Sequence, residues 1–283
     1  MKLYTFLTAS GPHVGAESNG RLVDLTAAGI ASSMIALIEA GAGGLARACD
    51  ALEAAPDGLA LASVRLLSPI PRPGKILCSG INYKGHAQEN PNAKMPTEPF
   101  FFAKLQSSVV GHEAAIIRPP QTSQLDYEVE FSAVIGKRLS RAAEDEVLPA
   151  LFGFTLLHDV SARDVQFKDN QITLGKNFDG FAPIGPCILT ADAMPEPERV
   201  RLMTRLNGET MQDGSTADWL FPLPRLIAFL SQVMTLEPGD IVTTGTPAGV
   251  GVFRKPPVFM QPGDVVEIEA EGIGVLRNTI VAG

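Results

Sequence analysis

The stretch LDYEVEFSAVIGK, residues 125–137, predicts a β-strand with two chemically different faces. Successive side chains of a strand point to opposite sides, so acidic and apolar residues separate here. The two faces are Asp126, Glu128 and Glu130 on one side and Tyr127, Val129 and Phe131 on the other. The apolar face predicts a buried sheet. Taken alone, the acidic face is also what the solvent side of an amphipathic strand would show.

Further strands are predicted wherever short apolar stretches are bounded by turn residues. Beyond residue 75 they fall at 76–79, 100–103, 127–135, 153–158, 187–190, 201–206, 240–244, 265–268 and 274–280. Helices are fewer, and we expect them just after residue 83 and at 144–152, 161–167 and 221–234. The strands do not alternate with long helices, so a doubly wound sheet is not expected. The pattern favours an α+β fold built as a mixed β-roll or β-sandwich.

The first 70 residues predict a small N-terminal α/β domain. They combine short strands, one hairpin turn at Asn19-Gly20, and an Ala- and Leu-rich region at 32–55 that indicates two short helices. The stretch SPIPRPGK, residues 68–75, follows, and its alternating prolines force extended backbone. We therefore expect a domain of residues 1–70 and a catalytic domain of residues 71–283.

Composition excludes several classes of function. The 283 residues carry a net charge of −8, which argues against nucleic acid as a partner and favours a small-molecule substrate. Three widely spaced cysteines form no CxxC pair, as expected for a reducing cytoplasm. No apolar run reaches the roughly 18 residues that could span a bilayer, so no membrane role is expected.

The acidic face gains a functional interpretation from a second segment. GFTLLHDVSARD, residues 153–164, is an apolar strand that leads into Asp159, and a buried acid needs a partner. Glu128 and Glu130 lie roughly 7 Å apart at the Cα atoms by strand rise, close enough to converge on one ion with Asp159. An all-oxygen site suits Mg²⁺ or Mn²⁺ better than zinc.

Several polar residues near these acids have two interpretations each. Arg163 and Gln166 share a helix face, and Arg163 is either an ion-pair partner of the acids or a fork for a substrate carboxylate. Lys176 is either solvated in a Gly-rich loop or a cation that stabilises an enolate. The loop TTGTPAGVG, residues 243–251, has neither P-loop nor dinucleotide spacing, and the hydroxyl of Thr246 suits a carboxylate or carbonyl clamp.

His86 is the candidate general base. In INYKGHAQE, residues 81–89, it precedes Glu89 by three positions, where a carboxylate can orient an imidazole. A His-x-x-Glu pair is also common on ordinary helices, so the spacing alone leaves a structural role open. The following ENPNAKMPTEP, residues 89–99, has the composition of a mobile lid.

Taken together, the motifs resemble those of the fumarylacetoacetate hydrolase family, in its small bacterial branch. The resemblance covers nearly everything from Pro73 onward and rests on INYKGHAQE, FFAKLQSSVVG, DYEVEFSAVIGK, HDVSARDVQ, GKNFDGFAPIGP, LNGETMQDGST and LEPGDIVTTGTPAGVG. It implies a homodimer with a mixed β-roll catalytic domain. The roles it implies are metal ligands Glu128, Glu130 and Asp159; catalytic residues His86, Glu89 and Lys176; and substrate contacts Arg163, Gln166, Thr246 and Lys104, with Ser107 beside them.

The resemblance also implies a reaction. We expect a hydrolase that cleaves the carbon–carbon bond of a 2,4-dioxo acid, such as an acylpyruvate, fumarylpyruvate or a diketo-deoxy sugar acid, through a metal-chelated enolate. The same site suits oxaloacetate decarboxylation, or isomerisation and decarboxylation of 2-hydroxyhepta-2,4-diene-1,7-dioate-type acids. A carboxylate-binding protein on the same fold is the non-enzymatic alternative. Larger relatives place a further acidic metal ligand at the position of Asn82. The resemblance therefore implies only three protein carboxylates around the metal here.

Overall fold

The computed structural model describes residues 1–54, 58–89 and 95–283. Within these ranges the chain forms nineteen β-strands and seven α-helices. The strands are β1 (Lys2–Thr8), β2 (Gly11–Ser18), β3 (Arg21–Asp24), β4 (Leu59–Ala60), β5 (Arg65–Leu66), β6 (Ile76–Ser79), β7 (Phe101–Lys104), β8 (Val109–Val110), β9 (Ala115–Arg118), β10 (Leu125–Asp126), β11 (Val129–Ile135), β12 (Leu151–His158), β13 (Ser161–Ala162), β14 (Ala182–Thr190), β15 (Arg201–Leu206), β16 (Glu209–Ser215), β17 (Ile241–Thr243), β18 (Val265–Ala270) and β19 (Gly274–Ala282). The helices are α1 (Met34–Glu39), α2 (Gly41–Ala54), α3 (Lys84–Glu89), α4 (Glu144–Val147), α5 (Arg163–Phe167), α6 (Ile172–Lys176) and α7 (Leu223–Val233).

The strands form one large and one smaller sheet, which confirms the predicted α+β fold with few helices. The large sheet runs β4-β3-β2-β1-β14-β12-β11-β17-β6-β7, with β5 beside β1 and β8 beside β14. The smaller sheet runs β16-β15-β18-β19-β9, and β10 pairs only with β13. Most pairs are antiparallel, whereas β17–β6 and β19–β9 are parallel, so both sheets are mixed.

Strand β11 is central, and every residue in it is buried. The predicted alternation is present: Val129 and Phe131 point into an apolar core that also contains Leu202 and Ile268 from the smaller sheet. The two sheets therefore pack face to face around this core, and α7 adds Ile227 to it. The opposite face of β11 carries Glu130.

The N-terminal segment continues the large sheet. Lys2 and Leu3 of β1 pair with Leu189 and Ile188 of β14. Helix α1 adds Leu37 to a second apolar core that Leu3 and Ile188 share. The predicted division at residue 70 stays a prediction. In the described parts of the chain, no helix has the length and apolarity to cross a membrane.

Two predicted helices are wrong in extent. The helix expected over 144–152 ends at Val147, a single 3₁₀ turn follows, and Leu151 already pairs with Ile135 in the large sheet. Pro149 cannot donate a helical hydrogen bond, and the apolar run after it is buried as a strand. The helix expected from residue 161 begins at Arg163 instead.

Ser161 lies in β13 instead, and its hydroxyl donates to the carbonyl oxygen of Asp159 at 2.8 Å. Ser161 and Ala162 pair with Asp126 and Leu125 of β10. The elements that were not predicted include β16 and α6; Lys176 ends α6 rather than lying in a loop. Much of the predicted lid at 89–99 lies outside the described residues.

Candidate active site

Three carboxylates converge from two neighbouring strands. Glu128 and Glu130 flank Val129, which pairs with His158 at the end of β12. The backbone N–H of Asp159 donates to the carbonyl oxygen of Glu128 at 3.0 Å, so the strand pairing itself brings the third acid to the first two. One oxygen from each carboxylate lies within 4.8 Å of the others, and all three side chains are buried.

Arg163 and Lys176 provide the nearest positive charges. Arg163 donates from Nη2 to Glu128 at 2.6 Å, from Nε to Asp126 at 2.8 Å and from Nη1 to Gln166 at 3.1 Å. Lys176 bridges two of the acids, at 2.7 Å from Glu128 and 2.6 Å from Asp159. The ion-pair interpretation of Arg163 is therefore present in the structure. Two of its five N–H groups are not used in these bonds, and its side chain lines the cavity described below.

Asp126 holds Arg163 in place. Besides the guanidinium, it accepts the backbone N–H groups of Gly251 at 2.7 Å and Val252 at 3.1 Å. It is fully buried and ties the acidic strand to the loop after residue 245. Its position beside Arg163 explains the first of the three acids in the opening stretch: it orients a cation instead of joining the carboxylate cluster.

Lys104 lies behind the cluster and does not line the cavity. Its ammonium donates to the carbonyl oxygens of Val160, Lys176 and Phe181 at 3.0, 2.5 and 2.7 Å. These bonds use all three of its N–H groups. Asp159 Oδ1 also lies 2.6 Å from this ammonium, so Lys104 forms a buried ion pair with the acid. Each oxygen of Asp159 therefore has one ammonium neighbour, Lys104 at Oδ1 and Lys176 at Oδ2.

Burial and charge act differently on the two glutamates. For Glu128, burial opposes ionisation, but Arg163 and Lys176 together hold its pKa well below the usual range. Burial raises the pKa of Glu130 well above its ordinary value, and the charges of Asp159 and Glu128 raise it further. A hydrogen bond from Thr243 offsets only part of this effect. Among the described residues Glu130 forms no ion pair, and the more distant charge of Lys176 offsets these effects only in part.

This donor set fits a hard divalent cation. Its ligand atoms are all carboxylate oxygens, which suits Mg²⁺ or Mn²⁺. A cation would compensate the charge of Glu130, which desolvation and the two neighbouring acids disfavour. With every group ionised, four buried acids face three buried bases, namely Asp126, Glu128, Glu130 and Asp159 against Lys104, Arg163 and Lys176. A dication would turn that balance positive, as an anionic substrate requires.

A cavity of about 230 Å³ opens onto the cluster. Phe100, Phe102 and Ile172 form its apolar side. The residues predicted from sequence that line it are His86, Glu128, Glu130, Arg163, Gln166, Lys176 and Thr246. The cavity is not lined by the predicted residues Glu89, Lys104 and Asp159. Ser107 is exposed on a 3₁₀ turn. Lys176 also lies 5.2 Å from the centre of the Phe102 ring.

His86 and Glu89 are joined as the sequence predicts. His86 Nδ1 lies 2.7 Å from one carboxylate oxygen of Glu89, and the other oxygen accepts the N–H of Gly249 at 2.7 Å. Because Nδ1 is engaged, Nε2 is the nitrogen left for a ligand in the cavity. The other histidine of interest, His158, is buried, and burial with the nearby Lys104 lowers its pKa to about 3. His158 is therefore neutral at physiological pH.

Gln212 is a polar residue of the site that sequence reasoning missed. It is 1% exposed and connects Val129, between the two glutamates, with Thr246 in the loop at 243–251. Its partners are 83 and 34 positions away along the chain, and no local pattern reveals such bonds. Asn82 is also buried, with its amide bonded to the backbones of Phe221 and Thr244.

Comparison with known proteins shows to which family the chain is similar. The family described as Fumarylacetoacetate (FAA) hydrolase C-terminal matches residues 75–281. The mitochondrial oxaloacetate tautomerase Fahd2a of Rattus norvegicus is 43% identical over 275 residues, covering 95% of this chain and 88% of the relative.

Two solved structures cover 100% of this chain and are themselves covered over 100% of their length. The fumarylacetoacetate hydrolase of Exiguobacterium antarcticum has a TM-score of 0.86 at 36% identity. The maleylpyruvate hydrolase of Sphingobium sp. SYK-6, solved with manganese(II) and pyruvate, has a TM-score of 0.82 at 30% identity. With most of its length matched by the family and a buried acidic triad in the matched region, the chain belongs to the fumarylacetoacetate hydrolase family.

Proposed function

We propose that this protein is a divalent-metal-dependent enzyme that interconverts the enol and keto forms of oxaloacetate. The observation that carries the proposal is the His86–Glu89 pair, whose imidazole lines the same small cavity as Glu128 and Glu130 of the cluster. The name of the rat relative supports this substrate over a longer dioxo acid. A volume of about 230 Å³ is also small for a ligand site, since typical pockets span about 300–1,000 Å³.

The comparisons do not confirm the hydrolysis expected from sequence, and the alternative action on oxaloacetate fits better. The metal prediction itself is retained. Glu128, Glu130 and Asp159 would hold Mg²⁺ or Mn²⁺, and the bound ion would act as a Lewis acid toward substrate oxygens.

In this proposal His86 moves the proton. Nε2 takes a proton from C3 of the keto acid and returns it to the C2 oxygen as the enol forms; the reverse transfers restore the keto form. One proton is removed and one is added, so no co-substrate is required. Glu89 keeps the ring in place and stabilises its charged form while His86 holds the proton.

The remaining polar side chains bind and orient the substrate. Arg163 directs its two unused N–H groups, and Gln166 its amide, toward a carboxylate. Lys176 has one N–H beyond its two carboxylate partners, and this group stabilises negative charge that develops on the C2 oxygen. Phe100, Phe102 and Ile172 exclude water from the apolar side of the cavity.

The proposal is tested by following the ultraviolet absorbance of enol oxaloacetate with Mg²⁺ or Mn²⁺ and after chelation. We expect metal-dependent loss of the enol signal. His86→Ala should reduce kcat by roughly 10²–10⁴-fold, the usual contribution of a general base, while Mn²⁺ affinity is retained. His112→Ala is the control, because His112 does not line the cavity and its Nδ1 accepts from the backbone N–H of Arg277. Wild-type activity in His86→Ala would refute the proposed base.

Hydrolysis of an acylpyruvate is the second candidate, favoured by the similarity to maleylpyruvate hydrolase. The same His86–Glu89 pair could deprotonate water for attack on the distal carbonyl. Pyruvate release from a panel of acylpyruvates, carbon dioxide release from oxaloacetate and turnover of hydroxydienoates separate the family reactions. Binding of these acids without any turnover would indicate the carboxylate-binding alternative. A cytoplasmic location and a homodimer stay predictions.

A further inference from the structure

The orientation of the Gln212 amide is fixed by groups that can act in only one way. Its Oε1 accepts from the backbone N–H of Val129 at 3.1 Å and from the hydroxyl of Thr204 at 2.7 Å. A backbone N–H can only donate, so the atom that faces it must be the oxygen. The opposite end of the amide is therefore the NH₂ group, and it lies 2.8 Å from the carbonyl oxygen of Pro247, which can only accept.

The same NH₂ group determines how Thr246 can bind a ligand. Its second N–H donates to Thr246 Oγ1 at 2.8 Å. The Thr246 hydroxyl thus accepts from Gln212 and retains its own proton for donation. Among the described residues that proton has no acceptor, and Thr246 lines the cavity beside the carboxylate cluster. An unused donor at this position indicates that the cavity binds a ligand through an acceptor oxygen.

We propose that Gln212 is a positioning residue that makes Thr246 a hydrogen-bond donor toward an anionic oxygen of the ligand. The inference relies on the proposed function only in taking the ligand to be an oxo acid anion. It predicts a preference for a carboxylate or enolate oxygen at this point of the cavity over a group that itself donates. Gln212 does not line the cavity, and of its hydrogen-bond partners at the NH₂ end Thr246 does.

The variant Gln212→Glu keeps the accepting end of the side chain and changes the donating end. An introduced carboxylate can still accept from Val129 and Thr204, so the strand between the metal ligands keeps its support. At the other end the carboxylate accepts where the amide donated, so the Thr246 proton turns toward it and away from the ligand. We therefore expect weaker anion binding with unchanged metal binding.

The test measures affinity for oxalate, a non-reacting oxo acid analogue, by calorimetry in the presence of saturating Mn²⁺. Thr246→Val and Gln212→Glu should each weaken oxalate binding by about tenfold or more, the contribution of a hydrogen bond to a charged group. The double variant should bind oxalate no more weakly than Thr246→Val alone. Affinity for Mn²⁺, measured without oxalate, should match that of the wild type in all three.

Thr204→Val is the matched control, because it removes a buried hydrogen bond to Gln212 without changing the end that faces Thr246. It should leave oxalate affinity within about twofold of the wild type. Additive losses in the double variant, or normal oxalate binding in Gln212→Glu, would overturn the inference. If Gln212→Glu does not fold, Gln212→Met provides the same comparison in the presence and absence of Thr246→Val. Since oxalate is not turned over, failure of the tautomerase assay leaves this test unaffected.

Discussion

Glu130 has a raised pKa, and this has a consequence for stability. In the unfolded chain its carboxyl titrates near the ordinary value of 4.5, whereas burial and neighbouring acids raise the folded value well above that. Between the two values the folded state binds more protons than the unfolded state, so stability falls as pH rises. Without metal, we therefore expect Glu130→Gln to be more stable than the wild type at neutral pH, with the difference vanishing below pH 4.5.

Urea unfolding of both proteins from pH 4 to pH 8, in chelator, checks this expectation. Glu128 contributes in the opposite direction, because its lowered pKa gives stability that is present at neutral pH and lost in acid. The contribution of Glu128 changes only in acid, below its ordinary pKa of 4.5, so the difference measured above that pH reports Glu130. A difference that does not change with pH would contradict the assignment of an uncompensated charge to Glu130.

At single positions, the sequence predicted those residues whose neighbours follow from strand alternation or helical spacing. Glu128 and Glu130 share a face because the strand period is two, and His86 meets Glu89 because they are one helical turn apart. Lys104 was predicted as a substrate contact from resemblance, yet its ammonium is enclosed by three carbonyl oxygens. Those carbonyls come from distant segments, which no local pattern brings together.

Helix α3 carries the proposed proton-transfer pair but is only six residues long, too short to be stable alone. It is held at both ends. The N–H of Gly85 donates to Asp218 at 2.8 Å, and Glu89 accepts from Gly249. Just before the helix, Tyr83 forms a β-bridge with Trp219. The position of the helix therefore depends on a loop more than 130 residues away.

Asp218→Ala should loosen α3 without touching the carboxylate cluster. We expect kcat to fall by roughly tenfold, the contribution of one charge-assisted hydrogen bond, with Mn²⁺ affinity unchanged. Steady-state kinetics and a Mn²⁺ titration measure the two effects. Asp213→Ala is the control, since Asp213 is exposed and pairs with Arg201 on the surface. Equal activity in the two variants would show that the Gly85 contact does not position the helix.

Among the secondary-structure elements, buried apolar strands were predicted well. Elements that form only by packing against a neighbouring element were not. Lys176 was expected in a loop because Gly175 precedes it. In the structure Gly175 allows α6 to pack on α5: a Cβ there would lie 2.6 Å from the Cβ of Gln166. Strand β16 was missed because its residues are mostly polar, and it forms through pairing with β15. Both outcomes depend on a neighbouring element, not on the segment itself.

The site as a whole exists only in the folded chain. Its carboxylates come from two strands, and its basic residues come from several further segments. Its loop at 243–251 follows β17, which pairs with both β11 and β6. A metal that binds this arrangement and not the unfolded chain must stabilise the fold by mass action. Ligand at about a hundredfold excess over its Kd contributes about 2.7 kcal/mol.

We therefore expect Mn²⁺ or Mg²⁺ to raise the Tm of the chelator-treated protein by roughly 5 °C or more at that excess. Differential scanning calorimetry measures the change. Asp159→Asn, which retains size but not charge, should abolish the increase, whereas the surface variant Asp213→Ala should keep it. The same increase in Asp159→Asn would place the ion elsewhere on the molecule.

The enclosure of Lys104 makes this one amine a reporter of local opening. Its nitrogen is surrounded by three carbonyl oxygens, its side chain is buried, and burial lowers its pKa. An amine-acylating reagent can reach it only when the segments around residues 160, 176 and 181 separate. Mass spectrometry of Lys104 acylation over time would therefore measure how often these segments open. The measurement does not depend on turnover.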